Sequence, residues 1–193
     1  MSGTLPLLPL IALASYLIGA IPFSYVIPRV LLGTDIRQHG SGNPGASNVS
    51  RVCGKGYGGL ALLLDVGKGT LAALLAQQAG APPVLGLFAV LGHIFNPFLR
   101  FSGGKGVATS LGVISFISWP AGLVFVIIWI SLFLLRHIAG LSSLAGISSV
   151  PLVFYFTRGS GILLWAGIGL AGLIYLTHRG NIARLIKGEE RKI

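Results

Sequence analysis

Leu5-Pro-Leu-Leu-Pro-Leu-Ile-Ala-Leu-Ala-Ser-Tyr-Leu-Ile-Gly-Ala-Ile-Pro-Phe-Ser-Tyr-Val-Ile-Pro-Arg-Val-Leu-Leu32 runs for 28 residues with one charge, Arg29. A helix crossing the hydrocarbon core of a bilayer needs about 20 largely apolar residues. This stretch meets that length, and its prolines at 22 and 28 predict kinks. It lacks the basic leader of a secretory signal, so it reads as a retained first helix. The remainder repeats the pattern at Tyr57–Ala79, Val84–Leu99, Ala121–Leu135, Ile138–Phe156 and Ser160–Thr177. A shorter apolar run, Val107–Ser118, ends at Pro120 and reads as a short, partly buried helix. The expectation is an all-α integral membrane protein of seven helices, one of them short, forming a single polytopic domain over residues 1–193. Connections are short, so no room remains for a soluble domain.

Composition agrees. The chain is 53% hydrophobic and 9% charged, against about a quarter charged in soluble domains. Its four acids, Asp35, Asp65, Glu189 and Glu190, face 14 lysines and arginines, for a net charge of +10. Such an excess suits anionic lipid or an anionic substrate. Nucleic acid is excluded as a partner because no long basic, polar face exists to track its backbone. Cys53 is the one cysteine, which rules out an internal disulfide. With seven spans, nearly all the bases between Arg37 and Lys192 fall on one side and only Arg158 on the other. By the positive-inside rule the N-terminus lies outside and the C-terminus in the cytoplasm.

Four glycine-bracketed clusters interrupt the apolar chain: Gly40–Arg51, Gly54-Lys-Gly56, Gly67-Lys-Gly69 and Gly103-Gly-Lys-Gly106. Glycines let backbone amides converge on an anion, and Ser, Asn and Arg add donors without negative charge. In the first cluster, Ser41, Gly42 and Asn43 can form an amide nest around a phosphoryl group, and the planar fork of Arg51 can chelate a second anion. Lys105 stands at the start of a short helix whose unpaired N–H groups favour anions. The segment is no nucleotide loop, because Gly rather than Ser or Thr follows the lysine. Asp65 and Lys68 are three apart on one helical face, where a structural ion pair is at least as good a reading as a catalytic one. Spacings of three also align His178, Asn181 and Arg184. Gly167-Ile-Gly-Leu-Ala-Gly172 imitates a dinucleotide fingerprint, but inside an apolar span it suits helix packing. His39, His93 and His137 show no carboxylate partner pattern, and no metal-ligand constellation exists, so neither metal nor cofactor is expected.

Taken together, Gly40-Ser-Gly-Asn-Pro-Gly-Ala-Ser-Asn48, Gly103-Gly-Lys-Gly-Val-Ala-Thr109 and His178-x-x-Asn-Ile-x-Arg-Leu185 resemble the acyl-phosphate-dependent glycerol-3-phosphate acyltransferases of bacteria, the PlsY family. Leu62-Leu-Leu-Asp-Val-Gly-Lys-Gly69 and the segment from Arg136 to Leu144 extend the likeness along nearly the whole chain. The resemblance implies a seven-helix enzyme of the bacterial inner membrane, its active site facing the cytoplasm. It would move a fatty acyl group from acyl phosphate to glycerol 3-phosphate, giving lysophosphatidic acid and phosphate. A functional link to the enzyme that makes acyl phosphate follows.

The resemblance assigns acyl-phosphate binding to Ser41, Gly42, Asn43, Asn48, Gly103 and Gly104. Glycerol 3-phosphate falls to Ser47, Arg51, Lys105, His178 and Asn181, and catalysis to Lys105, Ser143, His178 and Asn181. Ser47 stands where the family usually carries Thr, which keeps the hydroxyl. Ser143 is preferred over Ser142 on spacing from Lys105. No covalent nucleophile is required, because the donor is already activated and positioning two anions supplies most of the rate. Bases are scarce: His178 is the best protein candidate, and an oxygen of the bound substrate phosphate is its rival. Arg179, Arg184 and Lys187 disfavour a proton on His178, which tips the reading towards the substrate. An anion transporter is the alternative, but it predicts polar breaks near the midplane and related halves, and neither is evident.

Overall fold

The computed structural model describes residues 5–193, apart from the side chains of Leu5 and Arg158; residues 1–4, whose side of the membrane the charge pattern predicts, lie outside them. Among the described residues every regular element is helical. The chain divides into two compact units, one ending at Ile117 and one of Ser118–Ile193. The first holds α1 (Leu8–Gly19), α2 (Phe23–Leu32), α3 (Ala46–Cys53), α4 (Lys55–Gln78), α5 (Leu87–Ile94) and α6 (Val107–Ile117). The second holds α7 (Trp119–Arg136), α8 (Ala139–Arg158), α9 (Ile162–Thr177) and α10 (Arg179–Ile186).

Among the described residues four helices are long and apolar enough to cross a membrane: Leu8–Leu32 taken through its break, Lys55–Gln78, Trp119–Arg136 and Ala139–Thr157. A fifth candidate is the pair α9 and α10, bent by 64° at His178. Pro83–Leu99 and Val107–Ile117 are shorter. The span expected at Val84–Leu99 is regular only over the eight residues of α5, flanked by 3-10 turns that start at Pro83 and Pro97. Prolines lack the N–H that α-helical bonding requires, so the ends tighten instead.

The break between α1 and α2 shows how a polar backbone is tolerated inside an apolar unit. Pro22 interrupts the ladder, and Ile21 O keeps only a tight turn bond from Phe23 N at 3.1 Å. The Asn96 amide donates to Ala20 O at 2.7 Å, and the Lys68 ammonium donates to Ile21 O at 2.8 Å. Neighbouring segments thereby satisfy groups that lipid could not. Gly33, at φ 66°, closes α2 in the left-handed conformation that ends many helices.

Small residues set the packing. A Cβ on Gly19 would strike the Ala89 backbone, and one on Gly92 would strike Tyr16 O, so α1 and α5 touch backbone to backbone. Gly69 against Thr109 O and Gly112 against Val66 O do the same for α4 and α6. Bundles in lipid gain their packing energy from such close approach, since no hydrophobic force drives helices together there. The segment Gly67-Lys-Gly69 is therefore mid-helix, not a phosphate-type loop: Lys68 and Gly69 are buried on the inward face of α4, and Gly67 is exposed. Outward faces carry large apolar side chains: Leu63 is 67% exposed, Leu135 74% and Leu176 70%. Lipid is the solvent that accommodates such a surface.

Candidate active site

In the unit ending at Ile117, Gly40–Gly45 forms a loop fastened to the start of α3. Gly40 (φ 61°) and Gly42 (φ 72°) hold left-handed backbone that other residues adopt only with strain. Asn48 organises the rest. Its Nδ2 donates to Ile36 O (3.1 Å) and His39 O (3.0 Å), while its Oδ1 accepts from Ser41 N (2.8 Å) and Arg51 Nη1 (3.4 Å). A carboxamide offers two donors and one two-fold acceptor. All are engaged, and the residue is buried. Asn48, expected among the acyl-phosphate ligands, braces the loop with all its hydrogen-bonding groups engaged within the protein.

The expected amide nest is altered for the same reason. Ser41 N is held by Asn48, and Gly42 N donates to His39 O at 3.0 Å. Asn43 N points at Ser41 Oγ, 3.4 Å away. The loop thus presents side chains rather than a ring of amides. Ser47 and Arg51, four apart on α3, share an outward face, with Ser47 exposed and Arg51 half-buried. Ala46, Val49 and Cys53 turn the opposite face onto Ile27, Ile36 and Ala61. The glycine-bracketed cluster Gly40–Arg51 is thus half loop and half helix. The apolar spacing 46, 49, 53 was the signal that its second half is helical.

Ahead of this loop Asp35 is clasped by Arg37, Nη2 to Oδ2 at 2.7 Å and Nε to Oδ1 at 3.0 Å, and the guanidinium lies 4.7 Å from the Tyr25 ring centroid. The Arg37 hydrogen bonds lower the Asp35 pKa to about 2. A carboxylate so held is a poor proton acceptor at neutral pH.

The second loop of this unit, Gly103–Gly106, docks on the end of α5: Gly103 N donates to Ile94 O (2.9 Å) and Gly104 N to His93 O (3.2 Å). Gly104 and Gly106 are buried and Lys105 half-buried, one residue before Gly106 and two before α6 begins. Below lies a cluster that the sequence reading only half anticipated. The Lys68 ammonium meets Asp65 Oδ1 at 2.7 Å, Ser24 Oγ donates to Asp65 Oδ2 at 2.6 Å, and His93 Nδ1 is 3.6 Å from Asp65 Oδ1. Asp65 and Lys68 do form the structural pair. His93, read as lacking a carboxylate partner, has one; the two are 28 positions apart and meet only through helix packing.

In the unit of Ser118–Ile193, Ser143 lies in the first turns of α8, where its hydroxyl donates to Ala139 O (2.8 Å) and accepts from Trp129 Nε1 (3.1 Å). Ser142 donates to Ile138 O at 3.1 Å and is fully buried. His178 sits at the bend between α9 and α10, with Nδ1 2.8 Å from Ile174 O. A carbonyl only accepts, so Nδ1 carries the hydrogen, and in the neutral ring Nε2 carries the lone pair. Asn181 Nδ2 donates to Glu190 Oε1 at 2.6 Å, and Arg184 Nε donates to Glu190 Oε2 at 2.9 Å. A Cβ at Gly140 would stand 2.9 Å from Asn181 Nδ2, so the missing side chain lets α10 close on α8. Glu190, which the sequence marks only as one of four acids, is a residue whose place beside Asn181 and Arg184 sequence patterns do not reveal. Separations of nine and six residues, with an irregular return, gave no periodic signal. Among the described residues, no group of three or more His, Cys, Asp and Glu is placed to hold a metal.

Helices long and apolar enough to cross a membrane, with leucine on their outward faces, define an integral membrane protein. The family model described as glycerol-3-phosphate acyltransferase matches residues 9–188, and the chain belongs to that family. It is 44% identical over 190 residues to a glycerol-3-phosphate acyltransferase of Thermotoga petrophila, covering 95% of each chain. A glycerol-3-phosphate acyltransferase of Bartonella quintana is 40% identical over 190 residues, covering 95% of this chain and 90% of the relative. Two crystal structures of PlsY, an integral membrane glycerol 3-phosphate acyltransferase, superpose with TM-scores of 0.88 and 0.86 at 38% identity, covering 96% of this chain and 95% of each. One is the glycerol 3-phosphate form and the other the lysophosphatidic acid form.

Proposed function

We propose that this chain transfers a fatty acyl group from acyl phosphate to glycerol 3-phosphate, releasing 1-acylglycerol 3-phosphate and inorganic phosphate as the first step of phospholipid synthesis. The observation that carries the reading is the likeness to PlsY over almost the full length of both chains, with its glycerol 3-phosphate and lysophosphatidic acid forms. The transporter alternative is not favoured by a family of acyltransferases.

In this reading the hydroxyl oxygen of glycerol 3-phosphate attacks the acyl carbonyl carbon, the bond from that carbon to the phosphate oxygen breaks, and phosphate leaves with the bonding pair. The side chains of Ser41 and Asn43 receive the donor phosphate, Gly42, Gly103 and Gly104 give it room beside the backbone, and Asn48 shapes the loop around it. Ser47, Arg51, Lys105 and Asn181 hold glycerol 3-phosphate, with charge-assisted bonds from Arg51 and Lys105. His178 Nε2 accepts the hydroxyl proton. Two features support His178 over the substrate phosphate: Ile174 O fixes the tautomer, and Glu190 offsets the positive charge of Arg184. Three of the four acids, Asp35, Asp65 and Glu190, are engaged in ion pairs, and Glu189 lies exposed beyond α10, which supports a site without a carboxylate base. Ser143, anchored on Ala139 O, orients the acceptor.

The reading includes one acyltransferase domain across both units and seven membrane segments, counting α9 with α10 as one and including the two shorter apolar stretches. The N-terminus is outside, and the site faces the cytoplasm at the bacterial inner membrane. No metal or cofactor takes part, and the donor comes from a separate enzyme that makes acyl phosphate. Purified protein given acyl phosphate and glycerol 3-phosphate should release phosphate and lysophosphatidate in equal amounts. Donor hydrolysis without lysophosphatidate would refute the assignment.

A further inference from the structure

Lys105 rides on Gly103–Gly106, a stretch without helix or strand. What holds it is visible one layer below. His93 accepts Gly104 N with its own carbonyl, and its ring returns to the same residue: a Cβ on Gly104 would collide with His93 Nε2. The imidazole fills the place where residue 104 would have a side chain. On its other edge, Nδ1 faces Asp65 Oδ1 at 3.6 Å. Asp65 is in turn fixed by Ser24 Oγ (2.6 Å) and Lys68 Nζ (2.7 Å), and Lys68 is tied to Ile21 O at the α1–α2 break.

Buried ion pairs seldom add net stability, and intramembrane charges are costly. A plain ion pair on α4 would not require an imidazole set between it and a glycine. We propose that Asp65 and His93 form a buried positioning pair that sets the backbone of Gly103–Gly106 and thereby aims Lys105 at its anionic substrate. Neither residue touches substrate. The chain of contact runs Asp65, His93, Gly104, Lys105. The proposal rests on the functional reading above only for the identity of the anion.

The test uses the full-length protein in detergent or vesicles, with His93→Ala, Lys105→Ala, the double variant and Gly104→Ala. Two readouts are taken: phosphate release from acyl phosphate and glycerol 3-phosphate, and hydrogen exchange of residues 102–107. Backbone misplacement of about 1 Å costs up to about a hundredfold. His93→Ala should therefore lose about ten- to a hundredfold in kcat/KM and speed exchange across 102–107. In the Lys105→Ala background the same change should cost little more, because groups acting through one another are not additive. Losses that multiply in full, or exchange that stays at the wild-type rate, overturn the proposal. If His93→Ala does not fold, Gly104→Ala displaces the ring from the opposite side with Asp65 and Lys68 intact, and the same two outcomes decide. Wild-type protein inactive on both substrates would refute the reaction, while the exchange readout would still decide whether His93 holds the loop.

Discussion

At the scale of single residues, the proposed division of work between two cations and one imidazole can be checked by removing each group separately. Lys105→Ala and Arg51→Ala should each lower kcat/KM by about ten- to a hundredfold, the loss of a charge-assisted bond to a desolvated phosphate. Arg158→Ala should leave turnover near wild type, and equal losses at all three positions would point to failed insertion instead. For His178→Gln, the expected outcome is loss of the imidazole limb of the pH–rate profile, with kcat falling far more than KM rises. Survival of that limb would transfer the role of base to the substrate phosphate, whose second ionisation also lies near pH 6. Asp35 has a different signature. Its folded pKa lies below the ordinary carboxylate value, so its clasp with Arg37 contributes fully above that value and is lost as pH falls through about 2. Asp35→Asn should therefore lower thermal stability at pH 6 and have a shrinking effect as the pH approaches 2.

At the scale of elements, packing relies on absent side chains, so adding atoms should do more harm than removing them. Gly112→Val should force α6 away from Val66 O and Thr70 N, destabilising the unit by about 1–3 kcal/mol as overpacking does. A midpoint in thermal denaturation equal to wild type would show that the helices can part without loss. Helices were legible in the sequence because long apolar runs leave little choice of structure. Their interruptions were less so: Pro22 signalled a kink, but its partners Asn96 and Lys68 lie far along the chain, beyond any local pattern. The site divides similarly. Ser41, Arg51, Lys105, His178 and Asn181 were readable as polar residues in apolar surroundings, whereas the bracing of Asn48, the reach of Glu190 and the neighbourhood of His93 are tertiary facts. Motif and periodicity arguments find residues that break a rule. They do not find residues that satisfy one another across space.

At the scale of the molecule, the proposed chemistry should depend on the donor's phosphate and on nothing that a metal supplies. Turnover should persist in excess chelator and should fail with acyl-CoA as sole donor; loss of activity in chelator, restored by one divalent ion, would reverse the first expectation. The leucine-rich outward faces, with Leu63, Leu135 and Leu176 exposed, suit contact with lipid tails. The proposed acyl donor and the acylated product are both lipids, so in that reading they reach and leave the protein by lateral diffusion in a sheet rather than through water. Their effective concentration is a number of molecules per unit area. Diluting the vesicles tenfold with buffer should leave the initial rate per enzyme unchanged at saturating glycerol 3-phosphate. Diluting the donor tenfold with inert phospholipid at constant bulk amount should slow it.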